Sequence, residues 1–406
     1  MKKLYLEFIR GAAAIVVLLY HCIEMHPQGN GPKHFYFSNW GTDAVIIFFI
    51  LSGIVINISQ SRNPKTNIAF IKNRLLRLYP QLIVGLSLGL IALYITSAAI
   101  PSLWTIVGNF LMLSALKDYM NNIVPSFASN SPIWSLSFEM FFYLIFALTI
   151  GRFQKKAIAC WFLVSLLALP LYYSKLSVDV WGHLFGVITF SSIWLTGYYV
   201  YEFRNYFYAD KYTALFSAGA LPLISRLHLS DIYYDPAKYL LFAVFAIPFF
   251  RYCLQLPKQG RQVKLYYLIA PYLLIIYTVF NQPYLTFTSF AVYSALPGVL
   301  IAIFFMLNML KLKQRAITFI NSTGKVLGKY SYSIYVSHYP VLFACSYFFH
   351  SLGFYLLVSL PCIALITYSL ENWLQPIMVT FFKQQKALFI VKAPNWIGLN
   401  KWVKLS

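Results

Sequence analysis

The first apolar stretch of this chain carries two ionisable residues, Arg10 and His21, separated by GAAAIVVLLY. Eleven steps at 100° per residue make almost three turns of helix, so the two side chains share a face and lie roughly 16 Å apart along it. An ionisable group inside an apolar span is costly and marks a candidate functional site. A cation near one membrane surface and a titratable nitrogen deeper in describe a path for a charged molecule with a reactive end. Glu7 and Arg10 stand at i,i+3, the spacing of a helical ion pair. Gly11, Ala12, Ala13 and Ala14 remove bulk just beyond Arg10, so a neighbouring helix or a ligand can approach the backbone there. The plainer alternatives are a packed core histidine and an arginine that only sets topology.

Two further segments carry matching chemistry. In IKNRLLRLYP, Arg74 and Arg77 are at i,i+3 and repel unless an anion sits between them. Guanidinium forks suit phosphate, although a basic loop can equally serve lipid headgroups. In SPIWSLSFEMFFYLIF, Ser135 and Glu139 share a face at i,i+4, and Ser137 lies off it. Reckoned from the outer end of its helix, Glu139 reaches about 10 Å depth, similar to His21. A carboxylate beside an imidazole fixes its tautomer and raises its basicity, as a general base requires. His21 and Glu139 are therefore the catalytic candidates, and Arg10, Arg74 and Arg77 the anion-binding ones. Asp43, Ser135, Ser137, Tyr143 and His338 are secondary candidates. Asp118, Asp179, Asp231 and Asp235 read as solvated loop charges. No HExxH, paired-cysteine or phosphate-loop signature occurs, and no metal site is expected.

The elements that must position these residues are membrane helices. The 406 residues are 60% hydrophobic and 11% charged. Apolar runs of about 17–25 residues recur along the length, each enough to cross a bilayer. The fold class expected is all-α, a polytopic transmembrane helix bundle of about 10–12 spans with both termini cytoplasmic. The net charge of +21 does not point to nucleic acid, because the basic residues cluster in connections between apolar runs, as the positive-inside pattern requires. The first helix lacks a small-residue cleavage site and reads as retained. The piece Leu103–Leu116 is too short to span. Basic residues from Lys311 to Lys329 read as a cytoplasmic connection before a helix at 331–349. Residues 1–373 form the membrane domain, 374–406 read as a basic cytoplasmic tail, and no fused soluble domain is expected.

Five segments, in order from residue 6 to 340, resemble the acyltransferase-3 family of bacterial membrane O-acyltransferases. LEFIRGAAAIVVLLYH resembles its L-D-G-L-R-G helix with an R-x10-H motif, and GTDAVIIFFILSG its G-V-D-x-F-F-x-L-S-G helix. RLLRLYP is similar to its R-x-x-R-x-Y-P, WSLSFEMFFY to its W-S-L-x-x-E-x-x-F-Y, and SYSIYVSHYP to its S-Y-S-L-Y-L-x-H-x-P. Glu7 stands where Asp is usual, Met140 replaces a frequent second Glu, and one pair of spans between 205 and 285 exceeds the usual core.

The resemblance implies a cytoplasmic acyl-coenzyme A donor, expected to be acetyl-CoA, used as a substrate rather than held as a permanent cofactor. Its phosphates would meet Arg74, Arg77 and Arg10, and its pantetheine arm would lie along Gly11–Ala14. His21 would then act as general base oriented by Glu139, or take the acyl group itself. The implied acceptor is a hydroxyl of a carbohydrate, on a surface polysaccharide or lipid-linked sugar, reaching the site from outside. Aromatic residues, 19% of the chain, could stack on its rings. The implied location is the bacterial inner membrane, with lipids as partners and the oligomeric state open. The rival class is a transporter or flippase of a lipid-linked sugar, which would favour inverted repeats that this sequence lacks.

Overall fold

The computed structural model describes residues 4–26, 40–114, 124–151, 153–174, 180–230, 234–281, 287–310 and 312–381. These residues form helices almost throughout. In chain order they are α1 (Leu4–Met25), α2 (Trp40–Arg62), α3 (Asn67–Ile95), the short α4 (Leu103–Phe110) and α5 (Trp134–Thr149), which follows a 3-10 turn at Ala128–Ile133. Then come α6 (Gln154–Tyr173), α7 (Val180–Glu202), α8 (Lys211–Ile224), α9 (Pro236–Cys253), α10 (Tyr266–Phe280), α11 (Phe287–Met309), α12 (Lys313–Phe348) and α13 (Leu352–Ser369). Two three-residue strands, Phe207–Ala209 and Arg261–Val263, pair in parallel beside the ends of α7 and α9.

Eight helices among the described residues are long and apolar enough to cross a membrane. The protein is an all-α polytopic membrane bundle. The helices α8 and α10, with 14 and 15 residues, are the short ones in the region where an extra pair of spans was expected. Large apolar side chains cover the outside: Leu148 is 78% and Met309 83% exposed. In water such a surface would be untenable; against lipid tails it is the expected one.

The interior is aromatic. Phe49, Phe138, Phe142, Phe146, Phe190 and Trp194 are buried, and their rings meet edge-on, tilted or, for Phe49 and Phe138, stacked at 5.3–6.5 Å, distances at which aromatic quadrupoles attract. Helices α2 and α7 lock where glycines face each other. A Cβ on Gly53 would meet the Trp194 carbonyl oxygen at 2.1 Å, and one on Gly197 the Ile50 oxygen at 2.1 Å.

Two expectations change here. The helix expected at 331–349 begins at Lys313 and runs 36 residues. At 1.5 Å per residue this is about 54 Å, far beyond the ~30 Å hydrocarbon layer, so its basic first half stands outside that layer. Nothing in residues 313–330 breaks a helix, and a solvated helix tolerates lysines as well as a loop does. Asp235, read as a solvated loop charge, is 2% exposed and caps α9, accepting from the Ala237 and Lys238 amides at 3.0 and 3.1 Å; Asp is a favoured N-cap. Asp118, Asp179, Asp231 and most of the basic tail (382–406) lie outside the described residues. The chain runs helically from Leu352 to Phe381, through a π turn at Leu370–Leu374, so residue 373 falls inside a helix.

Candidate active site

Helix α1 presents Glu7, Arg10, Val17, His21 and Glu24 at spacings of three, seven, four and three residues, one stripe along its length. The lower part of the stripe faces one cavity and the upper part another.

The inner cavity, about 240 Å³, gathers Glu7 and Arg10 from α1, Ser52 from α2, Arg74 and Arg77 from α3, Ser135, Glu139 and Tyr143 from α5, and Tyr332 and Tyr335 from α12. Ser135, Glu139 and Tyr143 converge because they repeat at four residues on one helix. The Tyr143 hydroxyl donates to Glu139 Oε1. It also lies 3.1 Å from Ser52 Oγ, which accepts the Trp194 indole N–H at 3.1 Å. The Arg74 guanidinium stacks over the Tyr143 and Phe70 rings at 5.1 and 5.2 Å. Arg10 Nη2 donates to the Gly328 carbonyl at 3.0 Å and lies 3.5 Å from Glu7. The Nε–H groups of Arg10 and Arg74 are buried without an acceptor among the described residues. Three guanidiniums around one opening, two of them with unspent donors, are a cradle for a polyanion.

The outer cavity, about 180 Å³, is lined by Tyr20, His21 and Glu24 of α1, Thr42 of α2, Ser131, Pro132 and Trp134 at the start of α5, Tyr234, and Tyr335 and Tyr339 of α12. His21 Nδ1 lies 2.6 Å from Glu24 Oε2. Glu24 also accepts from the Tyr20 hydroxyl at 3.4 Å. The His21 ring is boxed by Tyr20, Tyr339 and His338, at centroid distances of 4.9, 5.0 and 5.3 Å. With Nδ1 engaged by a carboxylate, Nε2 is the nitrogen left for a substrate, the arrangement a general base needs. His338 is fully buried; its Nδ1 donates to the Ile334 carbonyl at 3.0 Å, and its Nε2 has no partner among the described residues.

The structure thus brings Arg10, Arg74, Arg77, Glu139, Ser135 and Tyr143 together, and places His21 elsewhere. The expected pairing of His21 with Glu139 is not what forms. Glu24, one turn beyond His21, takes that position, and Glu139 lies among the arginines. The reason is the depth of α5. Its lead-in turn is already inside the bundle, with Ser129 and Asn130 fully buried and bonded to the Gly89, Gly85 and Val336 carbonyls at 2.8, 3.2 and 3.0 Å. Counting depth from a surface start therefore placed Glu139 too near the outside. Glu24 is not among the sequence candidates, although its i,i+3 spacing to His21 is the signal that could have found it.

The small-residue face Gly11–Ala14 is not a ligand groove either. A Cβ on Gly11 would lie 2.4 Å from Leu327 Cβ and 2.7 Å from the Leu327 carbonyl carbon, and Ala13 and Ala14 are buried, so α12 fills it. Ser137 turns away from both cavities to Ser114, 3.0 Å distant. Asp43 faces Ser225, Arg226 and Lys238 at the outer end of α8 and α9, where it balances two buried cations. Burial, with Lys238 and Arg226 nearby, holds the neighbouring His228 imidazole below its ordinary range. Among the described residues no group of His, Cys, Asp and Glu has the geometry of a metal site.

The acyltransferase domain family matches residues 3–371, and both cavities are built within that stretch. The chain belongs to this acyltransferase family. A relative of this family protein, Acyltransferase MdmB from Streptomyces mycarofaciens, is 31% identical over 147 residues, covering 34% of the chain and 37% of the relative. The match spans little more than a third of the relative's length. No solved structure matches the chain.

Proposed function

We propose that the protein is a membrane O-acyltransferase that moves an acyl group from cytoplasmic acyl-coenzyme A to a hydroxyl of a carbohydrate acceptor on the outer side of the bacterial inner membrane. The observation that carries this reading is the stacking of two different cavities along one stripe of α1: a cationic one around Arg10, Arg74 and Arg77, and an aromatic one around the His21–Glu24 pair. The arginines would hold the phosphates of the donor, and Glu139 and Tyr143 would hold Arg74 in place while limiting the local positive charge. Tyr20, Trp134, Tyr234 and Tyr339 offer flat faces to a sugar ring at the outer cavity.

In the reaction, His21 Nε2 takes the proton of the acceptor hydroxyl as its oxygen attacks the thioester carbon. Glu24 stabilises the imidazolium through Nδ1. The C–S bond then breaks, and the imidazolium returns the proton to the coenzyme A sulfur, leaving an ester and a free thiol. Acetyl is the acyl group the resemblance favours.

The test is release of coenzyme A thiol by the purified protein in detergent, together with mass spectrometry of surface glycans from deletion and complemented cells. Thiol release, and an ester mass that returns on complementation, are expected. Movement of a lipid-linked sugar without thioester turnover would replace the proposal with a flippase.

A further inference from the structure

The cationic and aromatic cavities share one lining residue, Tyr335 of α12. Its ring is 5% exposed and lies against Phe48 on one side and His338 on another, at 5.8 and 6.0 Å. Its hydroxyl donates to the Pro132 carbonyl at 2.5 Å, so it accepts from Ser135 Oγ at 2.6 Å. Both partners belong to the entry of α5, across the bundle from α12. The ring is therefore not a loose side chain in an open shaft. It is a strap between two helices, standing where the arginine side ends and the His21 side begins.

We propose that Tyr335 is the partition between donor and acceptor cavities and the residue that selects which acyl groups cross. The inference rests on the acyl-transfer reading above. A thioester anchored below by the arginines meets His21 only past the Tyr335 ring, and the acyl chain must fit between that ring and Phe48. A short acyl group passes with a small displacement of the ring. A longer one must break both hydrogen bonds of the hydroxyl. The same closure keeps water away from the thioester until an acceptor is present. In the leak reaction, water attacks the carbonyl carbon and the C–S bond breaks, giving a free carboxylic acid and coenzyme A thiol.

The experiment measures thiol release by the purified full chain in detergent with acetyl-, butyryl- and hexanoyl-coenzyme A, without acceptor. Tyr335→Phe and Ser135→Ala each remove one hydroxyl and little volume. Both are expected to raise acetyl-coenzyme A hydrolysis about fivefold, the scale of a lost hydrogen bond. Tyr335→Ala is expected to raise the butyryl-to-acetyl rate ratio by about tenfold or more, the scale on which one pocket discriminates by methylenes. Phe48→Ala carries the chain-length measurement should Tyr335→Ala not fold. Hydrolysis and chain-length ratios within about twofold of wild type in these variants would overturn the partition while leaving acyl transfer standing. Loss of acetyl turnover in folded Tyr335→Phe would also overturn it, making the hydroxyl catalytic. Wild type and the folded Tyr335→Phe, Ser135→Ala and Tyr335→Ala variants all inert to the three thioesters would remove the acyl-transfer reading and this inference together.

Discussion

At the scale of single residues, the chemistry depends on how each buried charge is partnered. His21 has a carboxylate one turn away at 2.6 Å and a box of aromatic rings, so its orientation is fixed locally. His21→Ala is expected to abolish transfer with expression retained, read as loss of ester on surface glycans. Glu24→Gln keeps the shape but removes the charge facing the imidazolium, and kcat is expected to fall about 100-fold with the donor KM unchanged. Glu139 behaves differently, because its neighbours are Tyr143 and the arginine cradle. Glu139→Gln, Arg74→Ala and Arg77→Ala are each expected to raise the donor KM, by about tenfold for the arginines, more than they change kcat. An equal fall in kcat for Glu24→Gln and Glu139→Gln would return the two carboxylates to a common site.

At the scale of elements, close helix contacts set the distances between those residues. α1 lies against α12 through Gly11 and Gly328, where an added Cβ would sit 2.4 Å from Leu327 and 2.8 Å from Glu7, respectively. α2 lies against α7 through Gly53 and Gly197, each meeting a backbone carbonyl rather than a movable side chain. Backbone cannot yield cheaply, and overpacking costs about 1–3 kcal/mol. Gly53→Ala and Gly197→Ala are therefore expected to lower the Tm in detergent by several degrees, whereas Gly298→Ala, with open space around its position, is expected to leave it unchanged. The helix α12 serves both cavities because its residues Tyr332, Tyr335 and Tyr339 climb one face at spacings of three and four.

At the scale of the whole molecule, sidedness is what makes the two cavities useful. Arg10, Arg74 and Arg77 gather at one end, and the upper end of α1, the start of α2 and the lead-in of α5 gather at the other. The positive-inside reading of the basic connections, on which the proposed function rests, assigns the arginine end to the cytoplasm. A membrane-impermeant thiol reagent on intact cells is expected to label Ser230→Cys, between α8 and α9, but label Gln259→Cys, beside the paired strands, only after permeabilisation. The opposite pattern would invert the donor and acceptor sides. The five cysteines divide in the fold: Cys22, Cys253 and Cys345 are buried, and Cys160 and Cys362 face outward from the bundle.

The sequence by itself determined which residues lie on one face of one helix. Fixed rise and rotation put Glu7, Arg10 and His21 on a stripe, paired Arg74 with Arg77, and aligned Ser135 with Glu139. Composition determined that the surroundings are lipid, and the order of motifs determined the family. What only the tertiary structure decided is depth and company. How far α5 begins inside the bundle depends on Ser129 and Asn130 finding carbonyls on α3 and α12, contacts between residues 40 to 206 positions apart. No helical period carries that information. The same holds for Gly11, whose missing side chain permits either a ligand or a helix, and is taken by α12. It holds also for Tyr335, one tyrosine among 32 until two cavities meet at its ring.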